Sequence, residues 1–95
     1  MAAKPVQFRE LATSELKSAS GYYVAEADVA TAIRFVDAVE AVAKRIGRNP
    51  RLGSLRFAYE LSVPDLRVQS VGKFPYLLFY LERETSVDVG RLLHT

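Results

Sequence analysis

The sequence contains no cysteine and no tryptophan, and it has a single histidine and a single methionine among 95 residues. Without cysteine the chain can form neither a disulfide framework nor a thiolate metal site, and one histidine leaves only scattered carboxylates as metal ligands. A phosphate-cradling glycine loop is also lacking, since Gly53 and Gly72 stand alone. We therefore expect no metal and no cofactor, and a fold held by its core or by a partner.

Long hydrophobic runs are lacking as well. The longest strongly apolar run, residues 76–81, is far shorter than the roughly 20 residues that a membrane helix needs. The N-terminal residues 1–5 are not followed by a hydrophobic region, so they do not resemble a secretory signal and are expected to form a short frayed arm. These features predict a cytoplasmic protein that makes no contact with a membrane.

The composition is that of an ordinary globular domain, with 49% hydrophobic and 25% charged residues. A chain of this length predicts one domain, residues 1–95, with one modest core. The net charge is only +2, but residues 44–73 hold seven basic residues against two acidic ones. Such a basic segment favours an acidic partner, although a solvated helix end and loop would explain it equally well.

Two helices are predicted in the first half of the chain. Thr13 is a candidate N-cap for a first helix over residues 13–25, which carries Leu16, Ala19 and Tyr23 on one face. A second helix follows the acidic residues 26–28, because apolar residues recur at spacings of three and four from Val29 to Ile46. Gly47 and Pro50 are expected to end it.

Strands are predicted before and after these helices. Residues 6–8, which follow a proline, and residues 66–71, which end at Gly72, show the alternating pattern that is typical of a strand. Residues 76–81 are apolar on both faces, which is typical of a central strand, and residues 86–93 complete a hairpin with them. The order β-α-α-β-β-β predicts an α+β fold with an antiparallel helical hairpin on one face of a curved, mostly antiparallel sheet.

This order of elements, together with several short motifs, resembles the ParE-type toxins of the ParE/RelE superfamily. The motifs are YY at 22–23, AIRF at 32–35, NP at 49–50 followed by Gly53, LR at 66–67, FPYLLFY at 74–80 and RLLH at 91–94. The similarity extends over about residues 6–94. It implies the toxin of a type II, plasmid-stabilisation toxin–antitoxin pair.

The resemblance implies a complex with a ParD-like antitoxin, through which the toxin would contact operator DNA only indirectly. For ParE members it implies inhibition of DNA gyrase, and for RelE members ribosome-dependent cleavage of messenger RNA. A non-toxic corepressor that only binds the antitoxin is a third possibility, since one fold can support different functions. Many relatives continue beyond the histidine, so a chain that stops at Thr95 could hold gyrase less tightly.

Candidate target-binding residues are the cations and the histidine of the C-terminal half: Arg67, Lys73, Arg91 and His94. If the chain were a ribonuclease, Arg67, Arg91 and His94 would be the catalytic candidates, because such a site needs a base, an acid and phosphate-binding cations. Arg91 and His94 lie three residues apart on a strand and should therefore point to opposite faces. We accordingly favour a toxin without catalytic residues.

Candidate antitoxin-binding residues lie on the first helix: Leu16, Tyr22 and Tyr23. Adjacent tyrosines on a helix cannot share one face, so one ring should pack inward and the other should meet solvent or a partner. We expect Tyr22 to be the ring that faces the partner. Together with the edge strands, these residues are expected to offer an apolar groove that suits helix-in-groove or strand-addition binding.

Overall fold

A computed structural model describes residues 3–95 of the chain. Its elements are β1 (Val6–Phe8), α1 (Glu10–Glu26), α2 (Val29–Arg48), β2 (Arg67–Val71), β3 (Phe74–Glu82) and β4 (Val87–His94). The four strands form one sheet in the order β1-β4-β3-β2. β1 runs parallel to β4, and the other neighbours are antiparallel. The predicted α+β class and its mostly antiparallel sheet are confirmed.

The second helix owes its position to a regular apolar face. Ala32, Phe35, Val39, Val42 and Ile46 recur at intervals of three and four, and all five are buried. The side chain of Asp28 caps the helix, accepting a hydrogen bond of 2.7 Å from the backbone N–H of Thr31. The helical periodicity of the sequence therefore predicted this element correctly.

The first helix begins one turn earlier than predicted. It starts at Glu10 with Arg9 as its N-cap, and the backbone N–H of Thr13 donates to the carbonyl of Arg9 at 2.9 Å. Thr13 is therefore inside the first turn, and its prediction as the N-cap was wrong. Arg9 provides no side-chain cap. The helix is instead placed by Ala12, Leu16, Ala19 and Tyr23, which pack on the core.

Gly47 does not end α2, contrary to the prediction, because the helix continues to Arg48. It instead makes room for the N-terminal segment. A Cβ at Gly47 would lie 2.9 Å from the carbonyl oxygen of Lys4 and 3.1 Å from Cγ2 of Val6. The Lys4 N–H donates to the Gly47 carbonyl at 2.9 Å.

The predicted frayed arm is ordered from Ala3 onward, while Met1 and Ala2 lie outside the described residues. Lys4 Nζ contacts the Glu82 carboxylate at 2.8 Å and the Arg83 carbonyl at 2.7 Å. The Pro5 carbonyl accepts a hydrogen bond from the N–H of Val87. These contacts fix the arm against α2 and the end of β3.

The sheet separates two environments. On the helix-covered face, Leu78, Tyr80, Val87, Val89 and Leu92 join the helices in one core. The register of β4 shifts beside Gly90, so Val89 and Leu92 both reach this face although they are three residues apart. On the other face Val68 and Phe79 are buried, and Phe57 of the segment between α2 and β2 packs on Phe79. That opposite face is here called the open face.

No helix in the described part of the chain has the length and apolar character that crossing a membrane would require.

Replacing Gly47 by alanine should destabilise the fold by about 1–3 kcal/mol, because the added methyl group would overlap the carbonyl oxygen of Lys4 and crowd the Val6 side chain. Gly21→Ala is the matched control, since Gly21 is an exposed helix residue at which an added methyl group would meet no atom within 4 Å. That change should stabilise the protein by about 0.5–1 kcal/mol. Urea denaturation of both variants measures the two effects, and equal effects would contradict the close approach at Gly47.

Candidate partner-binding surfaces

The four residues predicted to bind the target do not converge on one site. Arg67 pairs with Tyr80, and its side chain lies on the helix-covered side of β2. Arg91 pairs with Phe79 and lies on the open face, at the edge of the sheet. Lys73 is exposed in the turn between β2 and β3, and His94 is exposed at the end of β4. The register places Lys73 and His94 at the same end of the sheet.

Arg67 holds the segment that follows α2. Its guanidinium donates to the carbonyl of Gly53 at 2.8 Å and to that of Arg51 at 3.2 Å. The hydroxyl of the neighbouring Tyr80 donates to the Pro50 carbonyl and accepts from the Gly53 N–H, both at 2.8 Å. Gly53 is required here, since a Cβ would lie 2.8 Å from that hydroxyl oxygen. We call these contacts the loop clamp.

Burial keeps the Tyr80 hydroxyl of the loop clamp protonated. Burial raises the pKa of Tyr80 above its ordinary value, and the hydrogen bond from Gly53 and the positive charge of Arg67 only partly oppose this. The hydroxyl therefore stays protonated and can donate and accept at the same time. The guanidinium of Arg67 is already engaged by two carbonyls, so its observed role is structural.

Arg91 is neutralised by a carboxylate on α1. Its Nε and Nη2 atoms donate to the Glu15 carboxylate at 3.0 and 2.7 Å, and the backbone N–H of Leu92 donates to the same carboxylate at 2.9 Å. Partial burial would raise the pKa of Glu15, but the hydrogen bonds from Arg91 and Leu92 and the guanidinium charge outweigh it and lower the pKa. We call this the edge pair, because pairing of β1 with β4 ends at Val89.

His94 has no catalytic neighbour among the described residues. Its ring lies edge-on to Tyr76, with centroids 5.1 Å apart, and Nδ1 is 2.7 Å from the carbonyl oxygen of Thr95. Arg91 is on the opposite face of the strand, as expected from their spacing. Within residues 3–95 no cluster of histidine and acidic side chains could hold a metal ion. A phosphate clamp with an adjacent acid and base is therefore not assembled from Arg67, Arg91 and His94.

One groove joins a predicted antitoxin-binding residue to a predicted target-binding residue. It has a volume of about 510 Å³, and its walls are Tyr22 and Ser18 of α1 on one side and Tyr76 and His94 on the other. We call it the helix-side groove. Tyr22 is 59% exposed and therefore accessible to a partner.

The other two predicted antitoxin-binding residues face the core. Tyr23 packs among Phe35, Phe74 and Tyr76, with ring centroids 5.1 to 6.3 Å apart. Leu16 is half-buried against the same core. The prediction that Tyr23 packs inward and Tyr22 faces outward is confirmed, as far as their packing is concerned.

A second cavity, of about 540 Å³, lies on the open face, and the sequence analysis did not identify it. Its apolar lining consists of Leu61, Val63, Leu66, Phe79, Leu81 and Leu93. The rest of the lining consists of Arg9, Tyr80, Arg83, Asp88, Gly90 and Arg91. We call it the open-face cleft. The one signal in the sequence for this cleft is that residues 52–66 contain many apolar residues with neither helical nor strand periodicity.

Tyr80→Phe should lower the free energy of unfolding by about 1–3 kcal/mol, because the Gly53 N–H and the Pro50 carbonyl would lose their partner. Tyr59→Phe removes the same hydroxyl from a side chain that is 94% exposed, and it should change stability little. Urea unfolding curves measure both variants. Equal stability of the two variants would show that the loop clamp contributes nothing.

The edge pair should make stability depend on pH. The pKa of Glu15 is lower in the folded state than its ordinary value of 4.5, so its contribution is present above that value and is lost as the pH falls through the folded pKa. Glu15→Gln should flatten the decline in stability over this acidic range, whereas Glu84→Gln, in an exposed turn, should leave it unchanged. Urea unfolding at a series of acidic pH values provides the measurement, and parallel curves for wild type and Glu15→Gln would contradict it.

Comparisons with known proteins agree with this architecture. No curated protein matches the sequence. The structure is similar to one described as the chromosomal ParDE TA system from P. aeruginosa, with a TM-score of 0.81 and 15% identity over 98% of this chain and 97% of that chain. The family model for the ParE toxin of the type II toxin–antitoxin system, parDE, matches residues 6–95. Since this match spans nearly the whole sequence, the chain belongs to the ParE toxin family of type II toxin–antitoxin systems.

Proposed function

We propose that this toxin acts in the cytoplasm by binding and inhibiting DNA gyrase, and that a ParD-like antitoxin neutralises it in a hetero-oligomeric complex. The observation that carries the proposal is the separation of Arg67, Arg91 and His94. Arg67 is engaged by the loop clamp, Arg91 is engaged by the edge pair, and His94 lies apart from both at the end of β4. Such an arrangement suits a protein that acts by binding rather than by catalysis.

The end of the sheet that carries Lys73 and His94 is the proposed target-binding surface. Both side chains are exposed, and the N–H of Thr95 donates to the carbonyl of Pro75, which brings the chain end beside the start of β3. Of the four residues first considered, Arg67 and Arg91 are held by the loop clamp and the edge pair, whereas Lys73 and His94 take part in neither of these sets of contacts. Arg67 and Arg91 would then support the surface indirectly, by holding the loop and the edge of the sheet.

Competition explains how an antitoxin could neutralise such a toxin. Tyr22 and His94 line the same helix-side groove, although one was predicted to bind the antitoxin and the other the target. An antitoxin segment seated against Tyr22 would therefore cover His94. Neutralisation would follow from occlusion, without any change in the fold of the toxin.

A ribosome-dependent endonuclease is the alternative function that shares these residues. It would need a base and an acid within hydrogen-bonding distance of the reacting atoms, and cations on the phosphate. The edge pair would have to open before Arg91 could serve in this way. A non-toxic corepressor, which would contact operator DNA only through the antitoxin, is the remaining alternative.

The deciding experiment is a DNA gyrase supercoiling assay with purified toxin, alone and with the antitoxin encoded beside it, run in parallel with ribosome-dependent cleavage of messenger RNA. Inhibition of supercoiling that the antitoxin relieves is the expected result. Cleaved message with unimpaired gyrase would favour the endonuclease and make His94 a catalytic candidate. The absence of both activities would favour the corepressor.

The double substitution Lys73→Ala with His94→Ala should raise the toxin concentration needed to inhibit gyrase by about tenfold or more, since each removes an exposed contact from the proposed surface. Lys44→Ala, which removes a lysine from α2, is the control and should inhibit like wild type. Circular dichroism would verify that all variants are folded. Full inhibition by the double variant would contradict the assigned surface.

A further inference from the structure

Four basic side chains lie near the C-terminal ends of α2 and β3. Lys4 and Arg48 line the same groove. The hydrogen bond from Lys4 lowers the pKa of Glu82, and the positive charges of Arg51 and Arg67 act on this carboxylate in the same direction. One carboxylate therefore stands among several cations. We call the four cations, Lys4, Arg48, Arg51 and Arg67, the basic end.

Two cations of the basic end are engaged within the molecule and two are not. Lys4 contacts the Glu82 carboxylate at 2.8 Å, and Arg67 donates to backbone carbonyls in the loop clamp. No ion pair within residues 3–95 involves Arg48 or Arg51, and both residues are exposed. Two positive charges at this place are therefore available to a partner.

The helix dipole explains only part of this charge. It favours cations in the last turn of a helix, where Arg45 and Arg48 lie. Arg51 lies beyond the end of α2, where this effect no longer applies. Lys44 has an opposite charge one turn away at Glu40, whereas the residues one turn before Arg48 are themselves basic. The excess charge is thus concentrated at Arg48 and Arg51.

The surroundings of these two arginines favour phosphate groups over an acidic protein surface. A protein interface depends on a few large apolar or aromatic side chains that become buried. The groove that Arg48 lines contains no aromatic residue, and its apolar side chains are two alanines and Val6. Phosphate contacts need no apolar core, and the guanidinium group matches phosphate geometry with two parallel hydrogen bonds. The basic end therefore suits the backbone of a nucleic acid.

The basic end lies at the opposite end of the sheet from the proposed target-binding surface. β3 follows directly after Lys73 and ends at Glu82, and its nine residues span about 27 Å. A partner protein held at Lys73 and His94 would leave the basic end free to contact a ligand that the partner carries. DNA gyrase carries duplex DNA, whose backbone is a continuous array of phosphates.

We propose that Arg48 and Arg51 bind phosphates of the DNA duplex that gyrase holds, while Lys73 and His94 contact the enzyme itself. This inference rests on the proposed function, because the proposed target supplies the duplex. The loop clamp helps to hold the site, since Arg67 binds the backbone carbonyl of Arg51. Contacts to phosphates are independent of base sequence, so the toxin would bind gyrase more tightly whenever any duplex is present.

Two double substitutions separate the position of these charges from their number. Arg48→Ala with Arg51→Ala, here called the phosphate variant, lowers the net charge from +2 to zero. Lys17→Ala with Arg34→Ala, the charge control, lowers the net charge equally at exposed positions of α1 and α2. Arg48→Lys with Arg51→Lys keeps both charges and should retain most of the binding to DNA. Circular dichroism would verify that all variants are folded.

The first measurement is fluorescence anisotropy with a labelled duplex of arbitrary sequence, without gyrase. The wild type and the charge control should bind with a dissociation constant on the order of 10⁻⁶–10⁻⁴ M at physiological salt. The phosphate variant should bind about tenfold more weakly, and its salt dependence should fall by a log–log slope of about 2, because two phosphate contacts are lost. Equal binding by the phosphate variant and the charge control would overturn the inference.

The second measurement is binding of the toxin to gyrase with and without a linear duplex. Adding the duplex should tighten binding of the wild type and of the charge control by about tenfold, and it should not tighten binding of the phosphate variant. Without the duplex all three proteins should bind gyrase equally, because Lys73 and His94 are unchanged. In the supercoiling assay the phosphate variant should require about tenfold more toxin. Equal tightening of all three by the duplex would contradict a contact between toxin and DNA.

Failure of this inference can be told from failure of the proposed function. Inhibition of gyrase by the phosphate variant at wild-type concentrations would overturn the inference and leave the proposed function intact. A wild-type toxin that binds the duplex through Arg48 and Arg51 but does not bind gyrase would contradict the proposed target and the source of DNA assigned here. Weaker binding of the phosphate variant to the antitoxin, with duplex binding unchanged, would assign the basic end to an acidic protein segment and overturn the inference.

Discussion

The hydroxyl group of Tyr80 joins the sheet to the irregular segment that follows α2. Residues 49–66 follow α2 without forming a helix or a strand, and they depend on a few polar contacts for their position. Tyr80 provides two of these contacts, and Arg67 beside it provides two more. Because a buried hydrogen bond is costly to leave unmade, this small group helps to fix the start of the segment. Further along, Ser54 pairs with Val68 and Phe57 packs on Phe79, ahead of the residues that form the wall of the open-face cleft.

The sheet then divides the protein into two surfaces of different character. The helix-covered face contains the core and ends in a groove that brings Tyr22 close to His94. The open face contains a smaller apolar layer around Phe79, over which the irregular segment closes only in part.

Much of the fold could be predicted because apolar periodicity determines it directly. α2 and the central strand β3 carry unambiguous patterns, and β1 was predicted with its observed limits, Val6–Phe8. The start of α1 was missed because Arg9 lacks the side chain expected of an N-cap. Gly47 was interpreted as a helix terminator, since the sequence does not reveal that a distant segment, around Lys4, packs on it.

The candidate surfaces were less predictable than the fold. The outward position of Tyr22 follows from helix geometry, whereas the internal contacts of Arg67 and Arg91 depend on segments distant in sequence. The edge pair also affects how the toxin behaves in the absence of its antitoxin. Beyond Val89 the outer edge of β4 is no longer paired with β1, and an unpaired edge can recruit strands from other molecules. The Glu15 carboxylate accepts a hydrogen bond from the Leu92 N–H and forms an ion pair with Arg91 at this edge. These contacts oppose polymerisation of the free toxin through the unpaired edge of β4.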